Sequence, residues 1–410
     1  MKKINKFILL SLFAVVALVA ASSKSYAVPA FSRQMGVECS SCHFQQFPLL
    51  NQFGRAFKAG GFIMGTQPHI EGDRMSLPNV LNASFIAKIR YQKTNGDSSP
   101  EDGTDRGELQ FPDEAALFLG GQVGEHIGFA LEAQFADPDA PVFASFKMPV
   151  VYDVAGAKVS VIPFTTDGLG AAFGFELLNT GAVRNIRLTE HRKEVSAQQY
   201  LGTDGAATGF AFVAANDMGF INISQWAPVH GTNDNSFLNY FRVAATPQVG
   251  GWDLGIGGQL WSGTSEGTFG GVEAPGTKKK AEAWAVDAQA QGAIGPIPVG
   301  IYLTYGVAAK TDSGDTENIF NNKADDETAA TIAAEATVLP YTQVSLAYRT
   351  ADNGDTSDSE DNATAIGVKY HLTQNVQLSL NHTIYFGDAN KDNRGGNGDQ
   401  LTTLMIFAAF

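Results

Sequence analysis

From about residue 80 onward the chain alternates. In Leu81-Asn82-Ala83-Ser84-Phe85-Ile86-Ala87-Lys88-Ile89-Arg90-Tyr91 the odd positions are apolar and the even ones mostly polar or charged. Near the other end Val376, Leu378, Leu380, Ile384 and Phe386 share one parity, and Gln377, Ser379, Asn381 and Thr383 the other. Successive side chains of a strand point to opposite faces, so each such segment has one apolar and one wet face. Segments of about ten residues with this pattern, separated by turns, suit a transmembrane β-barrel with a lipid face and a water-lined interior. A soluble β-sandwich can use the same alternation with its apolar side turned inward.

The connections separate the two. One set is short: Gly124-Glu125, Asn216-Asp217, Pro247-Gln248, Gly295-Pro296, Pro340-Tyr341 and Thr373-Gln374. The other set is long and polar, at 94–107, 228–235, 263–279, 311–326, 352–361 and 388–399, and the two interleave. Short turns at one rim and long loops at the other describe an antiparallel outer-membrane barrel. The chain ends on Phe410 after an apolar run, which resembles the assembly signal of such barrels. Trp226, Trp252, Tyr302, Tyr348 and Tyr385 fall near predicted strand ends, where interfacial girdles sit. About sixteen strands are expected. The stretch 165–205 is read as the third outer loop, perched at the rim or folded into the lumen, with Thr189 to Gln199 helical. Reading Phe173–Leu178 and Ala182–Leu188 as strands instead gives eighteen.

Met1-Lys2-Lys3-Ile4-Asn5-Lys6 followed by an uncharged apolar run to Ala21 and by Ser25-Tyr26-Ala27 has the layout of a secretory signal peptide, 1–27, cleaved after Ala27. No other apolar stretch is long enough to span a bilayer as a helix. Lys+Arg 28 against Asp+Glu 42 gives a net charge of −14, and the lysine-bearing leader leaves the remainder more acidic still. That balance excludes nucleic acid as a partner and suits cations and basic carriers.

Ahead of the barrel, residues 28–78 form a first unit around Cys39-Ser40-Ser41-Cys42-His43. Two cysteines three apart with a histidine next is the c-type haem attachment pattern. The thiols add to the two vinyl groups of one porphyrin, and the adjacent imidazole becomes an axial iron ligand. Cys39 and Cys42 are the only cysteines. A local disulfide or half a zinc site are the other uses of such a pair, and zinc needs two further ligands that are not nearby. His43 is thus the proximal ligand, with Met64 or His69 as candidate distal ligands and Met35 and Met75 as weaker options. A thioether there raises the potential relative to a second imidazole. Pro29 to Gly36 reads as a short helical turn with Ser32 as a candidate cap. Pro48 to Lys58 reads as a helix with Pro48 in its first turn, Gly60-Gly61 at its end, and Leu49, Leu50, Phe53 and Phe57 on one face. Arg33, Arg55 and Lys58 are candidates to pair with haem propionates. Acidic clusters at Asp97, Glu101, Asp102 and Asp105, at Asp312, Asp315, Glu317, Asp325, Asp326 and Glu327, and at Asp352, Asp355, Asp358, Glu360 and Asp361 are candidates to gather cations.

These features together resemble a known family. Pro29-Ala30-Phe31-Ser32-Arg33-Gln34, the Cys39 to His43 motif and Pro48-Leu49-Leu50-Asn51-Gln52-Phe53-Gly54-Arg55-Ala56-Phe57-Lys58, followed by a porin-like barrel over 79–410, resemble the fused outer-membrane monohaem cytochrome–porin family of iron-oxidising bacteria. The sequence likeness covers about the first fifth of the mature chain, and the remainder matches in architecture. Its implication is an outer-membrane electron conduit. Electrons from an extracellular donor, Fe(II) foremost, would pass through one covalent haem c to a periplasmic cytochrome or other carrier, which would make the chain an Fe(II)-oxidising oxidoreductase. Outward transfer to an external acceptor, or a porin whose haem domain is a plug or sensor, are the competing readings. One haem serving both sides of the membrane leads to a geometric expectation: residues 28–78 fold into the lumen as a plug.

Overall fold

The computed structural model describes residues 29–96, 105–136, 142–183, 188–189, 192–232, 234–269, 276–391 and 398–410. The leader and Val28 lie outside the described residues, as do Asp97, Glu101, Asp102, Glu190 and His191.

Antiparallel strands from Ala83–Thr94 to Gln400–Ala409 close into one ring. Two of them are interrupted midway. Phe143–Lys147 resumes as Val150–Val154 beyond Pro149, and Leu238–Ala245 resumes as Gln248–Val249 beyond Pro247. A proline has no N–H to give the ladder, so each break falls where pairing must lapse. With each broken pair counted once, the barrel has 16 strands. The last strand pairs with the first from Leu401↔Thr94 to Ala409↔Ile86. Phe85 and Phe410 then exchange backbone hydrogen bonds of 2.6 and 2.9 Å, which fastens the seam at its end.

The barrel is inside-out relative to a soluble sandwich. Ile223, Phe241, Leu260, Leu303, Leu346, Ile366, Leu380 and Leu404 are exposed on the outer face, while Asn222, Arg242, Gln259, Thr304, Gln343, Lys369, Asn381 and Thr403 are buried on the inner one. A sheet that buries its polar parity and exposes its apolar one is stable only with hydrocarbon outside. Ile366 is 54% exposed near the middle of its strand, Asn362–Thr373. Ile366→Arg is therefore expected to cost about 2–4 kcal/mol, measured as a lower denaturant midpoint in lipid vesicles, against little change for Ile366→Leu.

The seven short turns among the described residues lie at one rim and the longer connections at the other, as the alternation of lengths requires. One short turn is displaced from its expected place. Pro247-Gln248 belongs to the strand break, and the chain reverses at Gly250-Gly251, where φ of +58° and +82° gives the hairpin its left-handed pair. The aromatic girdle also needs correction. Tyr348 is exposed outward, but Trp226 and Tyr302 are buried inside, because both share the parity of lumen residues such as Asn222 and Thr304.

Two segments occupy the lumen. From the short-turn end, residues 29–66 enter as a plug with helices Ala30–Met35 and Gln52–Ala59, while the hairpin His69–Gly72/Met75–Pro78 stays largely exposed beside strand Glu108–Gly124. The third long connection, between Thr166 and Ala207, folds inward rather than over the rim. Leu169, Ala171, Phe175, Leu177, Leu178, Val195 and Leu201 are buried in the lumen, partly in one cluster with wall residues Trp226, Tyr240 and Trp261. Its described residues contribute no strand. Its regular parts are the short turns Ala171–Phe173 and Arg192–Glu194 and the single helical turn Ala197–Tyr200, which overlaps the end of the helical stretch expected over Thr189 to Gln199.

Candidate functional site

The Cys39 motif sits at the short-turn rim. Cys39–Ser41 form one tight turn, and the Cys42 and His43 amides both donate to Cys39 O, at 3.1 and 3.0 Å. The Cys39 amide donates to Gln374 Oε1 of a rim turn at 3.0 Å, and Gln374 Nε2 donates to Glu38 at 2.9 Å. The motif is thus pinned from outside by the wall. From inside it is pinned by helix Gln52–Ala59. Asn51 caps that helix by accepting from Gly54 N and uses its amide to donate to Ser41 O, both at 2.9 Å. A Cβ on Gly54 would fall 2.2 Å from Cys42 O, so only glycine lets the helix lie this close.

The helix starts at Gln52, four residues later than expected. Phe47 and Pro48 lie in a turn closed by Leu49 N on Gln46 O at 3.1 Å, Leu50 pairs with His43 as an isolated bridge, and Asn51 is the first residue able to cap. Gly60-Gly61 do end it, with Gly61 at φ +73°. Its apolar face splits. Leu49 packs in the lumen with Leu188 and Tyr302, Phe57 packs with Phe31 and Phe62, and Phe53 is 41% exposed. Ser32 lies inside its helix and bonds Val37 O, leaving Pro29 at the N-cap.

Both thiols are free and half-buried, and desolvation pushes them above the ordinary thiol range. Burial lowers the pKa of His43, which keeps the imidazole neutral, the form that binds metal. His43 Nδ1 lies 3.0 Å from Leu49 O. A carbonyl only accepts, so Nδ1 carries the proton and Nε2 keeps a free lone pair, the arrangement found for metal-bound histidines. His43 also lines a cavity of about 860 Å³ between plug and wall, together with Phe44, Gln45, Pro298, Gln343, Tyr370 and His371. That volume is within the range of cofactor sites. Two free thiols three residues apart, an oriented imidazole directly after the second and adjoining space are what a covalent haem requires, so these residues fit the group.

The other predicted site residues are not gathered here. Met64 is 43% exposed, and its carbonyl accepts from Gln34; His69 lies in the outer hairpin, its Nδ1 3.7 Å from Glu71. Neither lines the cavity beside His43. Arg55 is committed to a two-pronged pair with Asp253 of the wall, at 2.7 and 2.8 Å, and Arg33 donates to Ala83 O. Lys58 lines a smaller cavity of about 180 Å³ with Phe47, Glu132 and Lys147, and burial pushes its pKa down to about 8. Several carboxylates of the acidic loops are ion-paired: Asp312 with Lys310, Glu317 with Lys279, Asp355 with Lys323, Asp358 with Lys391 and Asp361 with Arg349. Among the described residues no group of three or more acidic, histidine or cysteine side chains could hold a metal ion.

The inner segment is held by charge. Arg242 of the wall bonds Glu176 at 2.8 Å and Asp287 at 2.6 Å, with all three side chains fully buried. Arg349 bonds Glu194 and Asp361 and lies over the ring of Tyr200, whose hydroxyl donates to Asp361. Ala197 N donates to Thr304, and Ser345 donates to Leu188 O. The two inserted segments also meet: Leu50 N and O bond the Asn179 amide at 2.9 and 2.8 Å.

A closed antiparallel ring with lipid-facing apolar parity, a polar interior, short turns at one rim and long loops at the other defines a 16-strand porin-like barrel of the bacterial outer membrane. No family model and no curated protein matches the chain. Solved structures similar to it include in-vitro folded OmpT, an outer membrane protein of Vibrio cholerae, at 13% identity and TM-score 0.46, covering 83% of this chain and 99% of that one. The outer membrane channel DcaP of Acinetobacter baumannii is similar at 10% identity and TM-score 0.47, covering 80% and 97%. A mutant of the Rh. blastica porin is similar at 15% identity and TM-score 0.48, covering 81% and 100%. The class rests on the chain's own ring, parity and connections.

Proposed function

We propose that this chain is an outer-membrane electron-transfer barrel, a porin-like wall closed to bulk flow with a plug that holds one covalent haem c at the periplasmic mouth. The observation that carries this reading is the Cys39-Cys42-His43 site, with the Nδ1 of His43 fixed on Leu49 O, at the short-turn rim of a lumen filled by two wall-bonded segments. Short turns face the periplasm in barrels of this class. Cys39 and Cys42 would tether the haem and His43 Nε2 would bind its iron. Bound there, the group supplies a one-electron couple. The protein's own work is to orient the imidazole through Leu49, to fix the motif on Gln374 and Asn51, and to leave its outer edge open to a periplasmic carrier. The family resemblance implies inward transfer, with extracellular ferrous iron as donor.

A second reading, a porin whose haem-bearing plug takes no part in electron flow, is favoured by the wall itself, which has the architecture of a diffusion channel. Stopped-flow mixing of the oxidised, detergent-purified protein with ferrous iron, paired with conductance in planar bilayers, separates the two. Rapid haem reduction with little conductance is expected. Porin-like conductance with a haem that ferrous iron leaves oxidised would turn the assignment to the second reading. A closed barrel reduced by dithionite alone would point to outward transfer.

A further inference from the structure

His371 stands on the barrel wall opposite the plug. In strand Asn362–Thr373 the odd positions Ala363, Ala365 and Lys369 are buried in the lumen, and His371 is the next of that parity, two residues from the strand's end at the short-turn rim. It lines the same cavity of about 860 Å³ as His43. Its Nε2 is buried and meets no hydrogen-bond partner among the described residues. A buried ring nitrogen without a partner is uncommon and calls for a reason.

We propose that His371 is the distal axial ligand of the haem, so that one iron is held between an imidazole of the plug and an imidazole of the wall. This rests on the haem reading above and completes its coordination. The cavity lies between the two elements that carry the histidines, so ligands arriving from plug and wall can approach from different sides. Lumen parity turns the His371 ring inward, and its orphaned nitrogen is an imidazole nitrogen, whereas the other unpartnered buried acceptor lining the cavity, Gln343 Oε1, is an amide oxygen and a weak ligand for haem iron. Met64 and His69 lie away from the cavity. Ligation would also fasten the plug to the wall through the iron.

The test is spectroscopic and uses the full exported protein in detergent. Covalent haem is first shown by pyridine haemochrome, and barrel folding by heat-modifiable gel mobility. Ferric wild type is expected to be six-coordinate and low-spin, without the near-infrared band of thioether ligation. His371→Gln should lose the low-spin signature and gain a high-spin ferric spectrum that binds cyanide readily. His371→Met should recover a low-spin state with the thioether band and a raised potential, while Met64→Leu and His69→Gln keep the wild-type spectrum. A folded His371→Gln protein with an unchanged low-spin spectrum, or a thioether band in wild type, overturns the ligand assignment and leaves the haem reading standing. Wild type without covalent haem overturns both.

Discussion

Arg242→Met is expected to release the inner segment and turn a closed barrel into a conducting one. Arg242 is fully buried and spans two carboxylates, Glu176 of the inner segment and Asp287 of the wall. Methionine fills much of the same space but leaves two buried negative charges facing each other without a cation. Glu176 keeps two backbone donors, from Leu177 and Leu178, and Asp287 keeps the Gln259 amide, so the carboxylates stay hydrogen-bonded while losing their neutralising charge. Breaking a buried ion pair from one side costs about 3–5 kcal/mol. The stretch from Gly168 to Leu178 would move first, since Arg349 and Thr304 hold the far end independently. Planar-bilayer recording should show porin-like steps in the variant and little current in the wild type, with a lower denaturant midpoint. Equal, low conductance in both would mean that hydrophobic packing alone seats the segment.

Changing Cys39 and Cys42 to serine together should leave a barrel that assembles and carries no covalent haem. Neither thiol makes a contact on which the wall depends. The plug is held by Arg55 to Asp253, by Gln46 to Glu335 and Lys369, and by the packing of Phe47 on Phe407. Loss of tethering should be complete for the double variant, read as the absence of peroxidase-type haem staining on a denaturing gel, with heat-modifiability unchanged. Staining that survives would place the haem on other residues.

Much of this architecture was readable from residues 80–410, because strand parity is a backbone property that tertiary context does not override. The loop asymmetry follows from period and length, whereas sixteen strands rather than eighteen rests on the non-strand character of Thr189 to Gln199, with an inward course for the third connection left open. Pro247-Gln248 misled because a proline within a strand and a proline in a turn look alike in sequence, whereas Gly250-Gly251 carries the positive φ that the reversal needs. Trp226 and Tyr302 were assigned by nearness to strand ends, and parity with Asn222 and Thr304 was the signal that would have turned them inward. In the plug, a residue's role depends on partners far along the chain. Nothing near Arg55 announces Asp253, and nothing near Glu176 announces Arg242. His371 was legible in part: counting parity back from Lys369 places it in the lumen at the rim, and only the three-dimensional cavity shows that His43 is across from it.

The plug precedes the first strand in the chain, yet its anchors are spread along the barrel sequence: Asp253, Glu335, Gln374 and Phe407. The strand that follows the plug adds a bond of its own, from Arg33 to Ala83 O. The plug, first in the chain, can therefore take up its full set of contacts only once strands from across the sequence are in place, while Cys39 and Cys42 lie at the short-turn rim.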